Sequence, residues 1–343
     1  RVTRFAVHRK VTKRFWWVVS LAAGGLLVGL LGIMVTLWVP KTPGSHVVRY
    51  IWVKPGQTAT DVGYTLAKEG IIRSAAAFAW LSRFNGLARH LTSGVYRLSP
   101  GETLVAIQQQ MRAGDVVTIR VVIPEGFTVQ QIVNRLIAHH IGSPAAFRAL
   151  VAKPLPGMPH PLPGVRDPLE GYLFPATYQF PYNVTPRQAL EIMWQTFQEK
   201  VAAISGGARL RLGDWVTLAS IVQKEAPNAE SAPIIAAVFK NRLKVGMPLD
   251  SDATVRYALN HAVPGGLSLG DLTVSSPYNT YLHPGLPPGP ICNPGLSSLT
   301  AALHPATVPY LYFLTLRNGR VLYATTYAEH LANIAWANQH GGE

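Results

Sequence analysis

The chain has 343 residues, of which 48% are apolar and only 14% charged. That length leaves room for two or three domains, and the composition excludes an intrinsically disordered chain and points to a membrane segment. Lys and Arg number 31 against 17 Asp and Glu, a formal +14, and the single cysteine, Cys292, excludes an intrachain disulfide framework and any multi-cysteine metal site.

Six of the basic residues lie in positions 1–14, which hold no acid, so the remainder carries 25 against 17, a net of +8. From Phe15 to Val39 there is no charged residue, and the polar side chains are Ser20 and Thr36. As a helix this run spans about 37 Å, enough to cross a bilayer with some tilt. Phe15, Trp16 and Trp17 at one end and Trp38 at the other sit where interfacial aromatics belong, and Pro40 closes the run. The basic flank predicts a cytoplasmic N-terminus, with the rest of the chain outside the cytoplasmic membrane. A cleaved signal peptide is the competing reading. The run is longer than an ordinary signal core, and no A-x-A site follows, so an uncleaved anchor is expected. Gly25 and Gly29 form a G-x-x-x-G, the pattern of a helix-dimer face, although membrane helices are rich in Gly in any case. After residue 50 no dense basic stripe interleaved with aromatics occurs, so no nucleic-acid partner is expected. An anionic wall polymer or lipid headgroups suit the basic excess better.

A turn containing Pro and Gly precedes a helical pattern three times, at Pro55-Gly56, Pro100-Gly101 and Pro124-Glu125-Gly126. Each unit reads as a strand end, a turn, a Thr N-cap (Thr58, Thr103, Thr128) and an amphipathic helix. In the third helix Val129, Ile132, Val133 and Leu136 form one stripe. Strands are expected at 47–53, 94–98 and 116–123. Such small β-α units on an exported chain fit a carbohydrate- or wall-binding module. Residues 153–168 carry six prolines and mark a boundary there or somewhat earlier. Three helices follow, at 186–204, 214–226 and 231–245, then a long irregular stretch, 260–297, of the kind that usually carries function. A hairpin at 310–316 and 321–324, around Arg317-Asn318-Gly319, and a last helix end the chain. The expected domains are a basic tail (1–14), a membrane helix (15–39), a wall-binding module (45–150) and a second, larger domain (151–343).

The run 169–180, LEGYLFPATYQF, places Glu170 in period-2 parity with Tyr172, Phe174, Tyr178 and Phe180. On an extended segment they share a face, where apolar rings would keep the carboxyl protonated as a general acid needs, but Pro175 breaks any regular ladder, so the run reads as an edge or cleft-lining segment. An exposed turn glutamate beside core aromatics is the bland alternative. Glu225 ends an apolar helix and shares a face with Ile221, Val222 and Leu218, while Lys224 points elsewhere. A carboxyl there needs a partner, Arg242 being one, or a raised pKa and a catalytic role. Asp250 and Asp252 open the next helix, where Asp252 read alone is a simple N-cap. Gly266-Leu267-Ser268-Leu269-Gly270 matches G-x-S-x-G, but His261–Gly265 before it reads as no strand, so no nucleophile elbow is expected. The 276–281 run, with Tyr278, Asn279 and Thr280, offers amide, hydroxyl and ring groups suited to sugars. Glu329 belongs to a capping box with Thr326, and Cys292 reads as inert. No metalloprotease or phosphate-loop motif occurs, and no cofactor or metal is expected.

Together the runs IPEGFTVQQI, LEGYLFPATY, LASIVQKEA, VFKNRLKVGMPLDSDATVRYAL, SPYNTY, GLPPGPICNPG, AALHPA and TTYAEHLANI resemble, in order, the MltG (YceG-like) family of endolytic murein transglycosylases. The resemblance implies an α+β chain, with a single N-terminal membrane helix, a LysM-like α/β module and a mixed α+β catalytic domain in the inner membrane, facing the periplasm. It implies non-hydrolytic cleavage of the MurNAc-β-1,4-GlcNAc bond of peptidoglycan strands, leaving 1,6-anhydro-MurNAc ends, and peptidoglycan synthases as partners. The family's catalytic glutamate maps onto Glu170, and that of its E-K-E helix onto Glu225. Tyr172, Phe174, Asp252, Tyr278, Asn279 and Thr280 are the substrate-binding candidates. Ala176, Gln223, Asp250 and Ala253 depart from the usual pattern. An inactive wall-binding scaffold and a hydrolytic muramidase remain as alternatives.

Overall fold

The structure, a computed structural model, describes residues 4–206, 211–260 and 266–340, with side chains from Phe15 onward. The reading of 261–265 as no strand, and the charges of the basic tail, lie outside the described residues and side chains. The architecture is mixed α+β, with two compact units, 1–119 plus 181–183 and 120–180 plus 184–343. Residues 120–150 pack with the second unit.

In the first unit α1 (Arg4–Trp38) contains the apolar span Phe15–Trp38, long and apolar enough to cross a membrane and with none of its hydropathic core buried. Strand β1 (Arg49–Val53) alternates Tyr50 and Trp52 outward with Ile51 and Val53 inward. Helices α2 (Ala59–Lys68), α3 (Ala75–Phe84) and the short α4 (Leu87–His90) follow. The chain returns in β2 (Gly94–Leu98), antiparallel to β1 with Arg49 opposite Leu98 and Val53 opposite Gly94. Helix α5 (Leu104–Ala113) closes the unit over a core that includes Leu66, Phe78, Tyr96 and Ile107. The end of α1 belongs to this packing. Leu37 lies against the core, Arg73 donates to the Pro40 carbonyl at 2.7 Å, and Thr42 N–H donates to the Pro100 carbonyl.

Strand β3 (Thr118–Val122) leads into the second unit through α6 (Val129–Ala138) and α7 (Pro144–Val151) and pairs with β4 (Thr177–Pro181). The three expected Thr caps are all present, because each hydroxyl accepts an N–H that the first helical turn leaves open. Helices α8 (Pro186–Ser205), α9 (Leu212–Glu225), α10 (Ala232–Lys244), α11 (Asp252–Leu259) and α12 (Leu296–Leu303) build the body of the unit. Helix α9 is its centre, buried from Trp215 through Val222 and packed between α10 and α12. A hairpin of β5 (Tyr312–Thr315) and β6 (Val321–Ala324) and then α13 (Tyr327–His340) finish it. The Thr326–Glu329 capping box caps α13 as expected.

The run around Glu170 lines a cleft but is a turn, where period-2 parity assumes an extended segment. Glu170 N–H donates to Asp167 carbonyl and Tyr172 N–H to Leu169 carbonyl, so 167–172 is a double turn and the regular strand begins only at Thr177. The turn depends on Gly171 at φ +89°, where an added Cβ would lie 2.6 Å from Pro290 and 2.8 Å from Val216. Period-2 parity therefore does not set the direction of Glu170. The G-x-S-x-G match likewise folds as a turn. Ser268 hydroxyl and N–H both engage Asp271, and a single 3-10 turn (Asp271–Thr273) follows rather than the helix an elbow needs.

Candidate functional site

Three segments of the second unit converge on Glu170. The Pro124–Thr128 turn ends at Val129, the first residue of α6, whose N–H donates to both Glu170 carboxylate oxygens at 3.1 and 3.3 Å. Asn293, in the loop before α12, donates from Nδ2 to Glu170 Oε1 at 2.9 Å. Tyr257, on α11, places its hydroxyl 3.4 Å from Oε2. Glu170 is 1% exposed, yet it lines the floor of a cleft of about 570 Å³. Burial pushes its pKa well above the ordinary carboxylate value, and the nearby Asp167 pushes it the same way. The donated hydrogen bonds from Val129 and Tyr257 and the charge of Lys224 pull it back, in that order. Helix α6 adds the positive end of its dipole on the same side.

The other wall carries Glu225, Asp252 and Arg256. Glu225 sits at the end of α9 and accepts from Ser251 hydroxyl at 2.5 Å, and burial raises its pKa against that bond. Arg242 is not its partner. That guanidinium donates to Leu311, Leu249 and Pro248 carbonyls and pairs with Asp250 at 3.2 Å. Asp250, at φ +48°, turns the chain so that Ser251 is the N-cap residue of α11 and Asp252 its first helical residue. Asp252 makes no side-chain cap and instead accepts from Tyr281 hydroxyl at 2.8 Å, which corrects its reading as an N-cap. Lys224, expected to point away from Glu225, lines the same cleft.

The remaining candidates sit behind these groups. Tyr172 lines a small pocket of about 60 Å³ that also touches Glu170, and packs edge-on against Trp194 and Phe197. Phe174 is buried and its carbonyl accepts from Tyr178 hydroxyl at 2.6 Å. Tyr278, Asn279 and Thr280 are all buried, and none lines the large cleft. Asn279 ties its loop together by donating to Leu272 and Val274 carbonyls. Thr280 hydroxyl accepts Ser251 N–H and bonds Thr254, so it braces the turn below Glu225. Tyr278 packs its ring 4.8 Å from that of Tyr257. Arg166 covers the other side of Tyr257 at 4.7 Å and donates to Tyr257 and Ala258 carbonyls. Gln223, one of the departures, accepts Gly295 N–H and Ser298 hydroxyl, an anchoring task that needs only an acceptor. Cys292 is fully buried, and burial drives its thiol pKa upward, which keeps it inert.

Tyr257, Asn293 and Arg166 were not singled out from the sequence, and Val129 only as part of an apolar helix stripe. Asn293 and Tyr257 stand inside runs that carry the resemblance, but no local period links Asn293 to a carboxylate 123 positions earlier.

The sequence pattern of the YceG-like family matches residues 51–336. An endolytic murein transglycosylase of Bacillus subtilis (strain 168) is 33% identical over 311 residues, 85% of each chain. One of Streptococcus pneumoniae serotype 2 (strain D39) is 27% identical over 83% of this chain, which spans 57% of that protein's length. The crystal structure of a YceG-like protein of Listeria monocytogenes aligns over 84% of this chain and all of that one, with TM-score 0.55 and 32% identity. With the match running from β1 to α13 and taking in every element of the Glu170 cleft, the chain belongs to the YceG-like family.

Proposed function

We propose that the chain is a membrane-anchored endolytic murein transglycosylase, a lyase that cuts peptidoglycan glycan strands. The observation that carries this reading is Glu170, a carboxyl buried at the floor of an open cleft and held with a raised pKa. The names of the relatives supply the substrate class and the endolytic mode.

The finer steps belong to the same proposal. A MurNAc-β-1,4-GlcNAc linkage lies across the cleft. Protonated Glu170 gives its proton to the bridging O4 as the C1–O4 bond breaks. The C6 hydroxyl of the same MurNAc attacks C1, forming the C1–O6 bond, and its proton returns to Glu170. The products are a GlcNAc with a free 4-hydroxyl and a 1,6-anhydro-MurNAc end, with no water consumed. An internal hydroxyl already held near C1 acts at high effective concentration, which is why one acid–base carboxyl suffices. Glu225, ionised, supports the positive charge that develops at C1. Asp252, Tyr278, Asn279, Thr280, Tyr172 and Phe174 shape or bind the substrate side. The β1–β2 pair, with α2, α3 and the single-turn α4 between its strands, supports the reading of the first unit as a LysM-like wall-binding module. The apolar span of α1 supports an inner-membrane anchor with a cytoplasmic N-terminus, beside peptidoglycan synthases that supply nascent strands.

Mass spectrometry of digested glycan strands tests the reading. Anhydro ends with the parent chain, and far fewer of them with Glu170→Gln, are expected. Reducing ends would favour a hydrolytic muramidase, and no products a binding scaffold. The Glu225 role fails if Glu225→Gln keeps full activity on intact strands.

A further inference from the structure

We propose that Asn293 is a positioning residue that pins the Glu170 carboxyl by one oxygen and so assigns the working proton to the other. This rests on the general-acid reading of Glu170 above. Asn293 is completely buried and every polar atom it has is engaged. Its backbone N–H donates to Phe127 carbonyl at 2.8 Å, and its own carbonyl accepts Gly126 N–H at 2.9 Å. Its side-chain Oδ1 accepts Leu173 N–H at 2.8 Å, and Nδ2 donates to both Phe127 carbonyl and Glu170 Oε1 at 2.9 Å. The amide orientation is therefore dictated by its surroundings. Flipped, it would set NH₂ against the Leu173 N–H and its oxygen against two other acceptors.

The consequence for Glu170 is an asymmetry between its oxygens. Oε1 receives Asn293 Nδ2 at 2.9 Å and the shorter Val129 contact at 3.1 Å. Among the described residues Oε2 has the longer Val129 contact, at 3.3 Å, and Tyr257 hydroxyl at 3.4 Å. Oε1 holds the two shorter donated bonds, both from N–H groups that cannot accept, so a hydrogen added there would face them, whereas the Tyr257 hydroxyl beside Oε2 can turn to accept one. The proton resides on Oε2, the oxygen beside Tyr257, which lines the cleft. Asn293 also ties together three parts of the site, at Gly126–Phe127, Glu170–Leu173 and its own loop. A displacement of any of them moves the carboxyl, and catalysis is steep in such displacements.

The test is steady-state kinetics of the full chain on purified glycan strands across pH, for Asn293→Ala and for the near-isosteric Asn293→Asp. Folding of each variant is judged by circular dichroism. Loss of the donor lowers kcat about tenfold or more with KM changed less than about twofold. Because a donated bond favours the ionised carboxylate, its removal moves the alkaline limb of kcat to higher pH, by about half a unit or more. Asn293→Asp, with a second negative charge in contact, moves the limb at least as far. In a Glu170→Gln background Asn293→Ala adds no further loss. A folded variant with wild-type kcat overturns the proposal. So does a loss that tracks only the unfolded fraction with an unmoved pH limb, and so does failure of both variants to fold, which would make Asn293 structural. A fully active Glu170→Gln would instead sink the general-acid reading, an outcome separable from these.

Discussion

At the residue scale the site is built on a conflict. Glu170 is buried among groups that donate to it, so its surroundings favour the anion while its burial favours the acid. Burial is the larger effect, and the folded pKa lies well above the unfolded value of 4.5. The sign for stability follows from linkage. Below 4.5 both states are protonated and the native state carries no penalty. As pH rises the unfolded chain ionises first, and stability is lost progressively until the pH passes the folded pKa. Glu170→Gln removes that penalty while keeping the shape. The variant should therefore match the parent's melting temperature in acid and exceed it increasingly from about pH 4.5 upward, with a plateau above the folded pKa. A melting difference that is flat in pH would mean that Glu170 titrates normally. The same variant should lose on the order of 10² to 10⁴ in kcat, the usual worth of a general acid, so stability and activity move in opposite directions at one position.

At the element scale the helix that begins beside Glu170 has two tasks. Thr128 caps α6 by accepting Gln131 N–H, and Gln131 returns a bond to Thr128 N–H at 2.9 Å. The same box holds the start of α2, between Thr58 and Asp61. Losing either hydroxyl costs about 1 kcal/mol of helix stability. Only in α6 does the first turn also aim an N–H, from Val129, at the carboxyl. Thr128→Ala should therefore lower kcat on soluble glycan strands severalfold, while Thr58→Ala lowers melting temperature alone. Equal kinetics for the two would detach the cap from the chemistry. These caps also show what was legible in the sequence. Thr N-caps, amphipathic stripes and the end hairpin are local patterns, and α2, α5, α6, α8 and the β5–β6 pair came out where they were expected. The form of the Glu170 run did not, because two i→i+3 bonds and a left-handed glycine packed on Pro290 outweigh the alternation of its side chains. Asp252 was misread as a cap because its partner, Tyr281, is a neighbour only in space. The donors of Glu170 were out of reach for the same reason.

At the scale of the whole molecule the charge and the apolar residues divide by region. Six of the 31 basic residues precede the apolar span, and a large share of the exposed aliphatic and aromatic side chains lies within Phe15–Trp38. A helix whose apolar side chains face outward along its length needs an apolar surrounding, and the full chain should stay in the membrane fraction after an alkaline carbonate wash. Release by that wash would argue against an integral anchor. The end of this helix also packs with the first unit, since Leu37 lies on that unit's core and Pro40 carbonyl takes a bond from Arg73. Two truncations separate the functions. A chain starting at Val35 loses most of the span but keeps both contacts, and one starting at Lys41 loses both. Each should become soluble, yet the shorter chain should be the less stable by about 1 to 2 kcal/mol, the worth of a partly buried Leu and one hydrogen bond. Equal thermal unfolding of the two would show that α1 and the first unit merely adjoin, whereas the expected difference makes the last turn of α1 part of that unit's core.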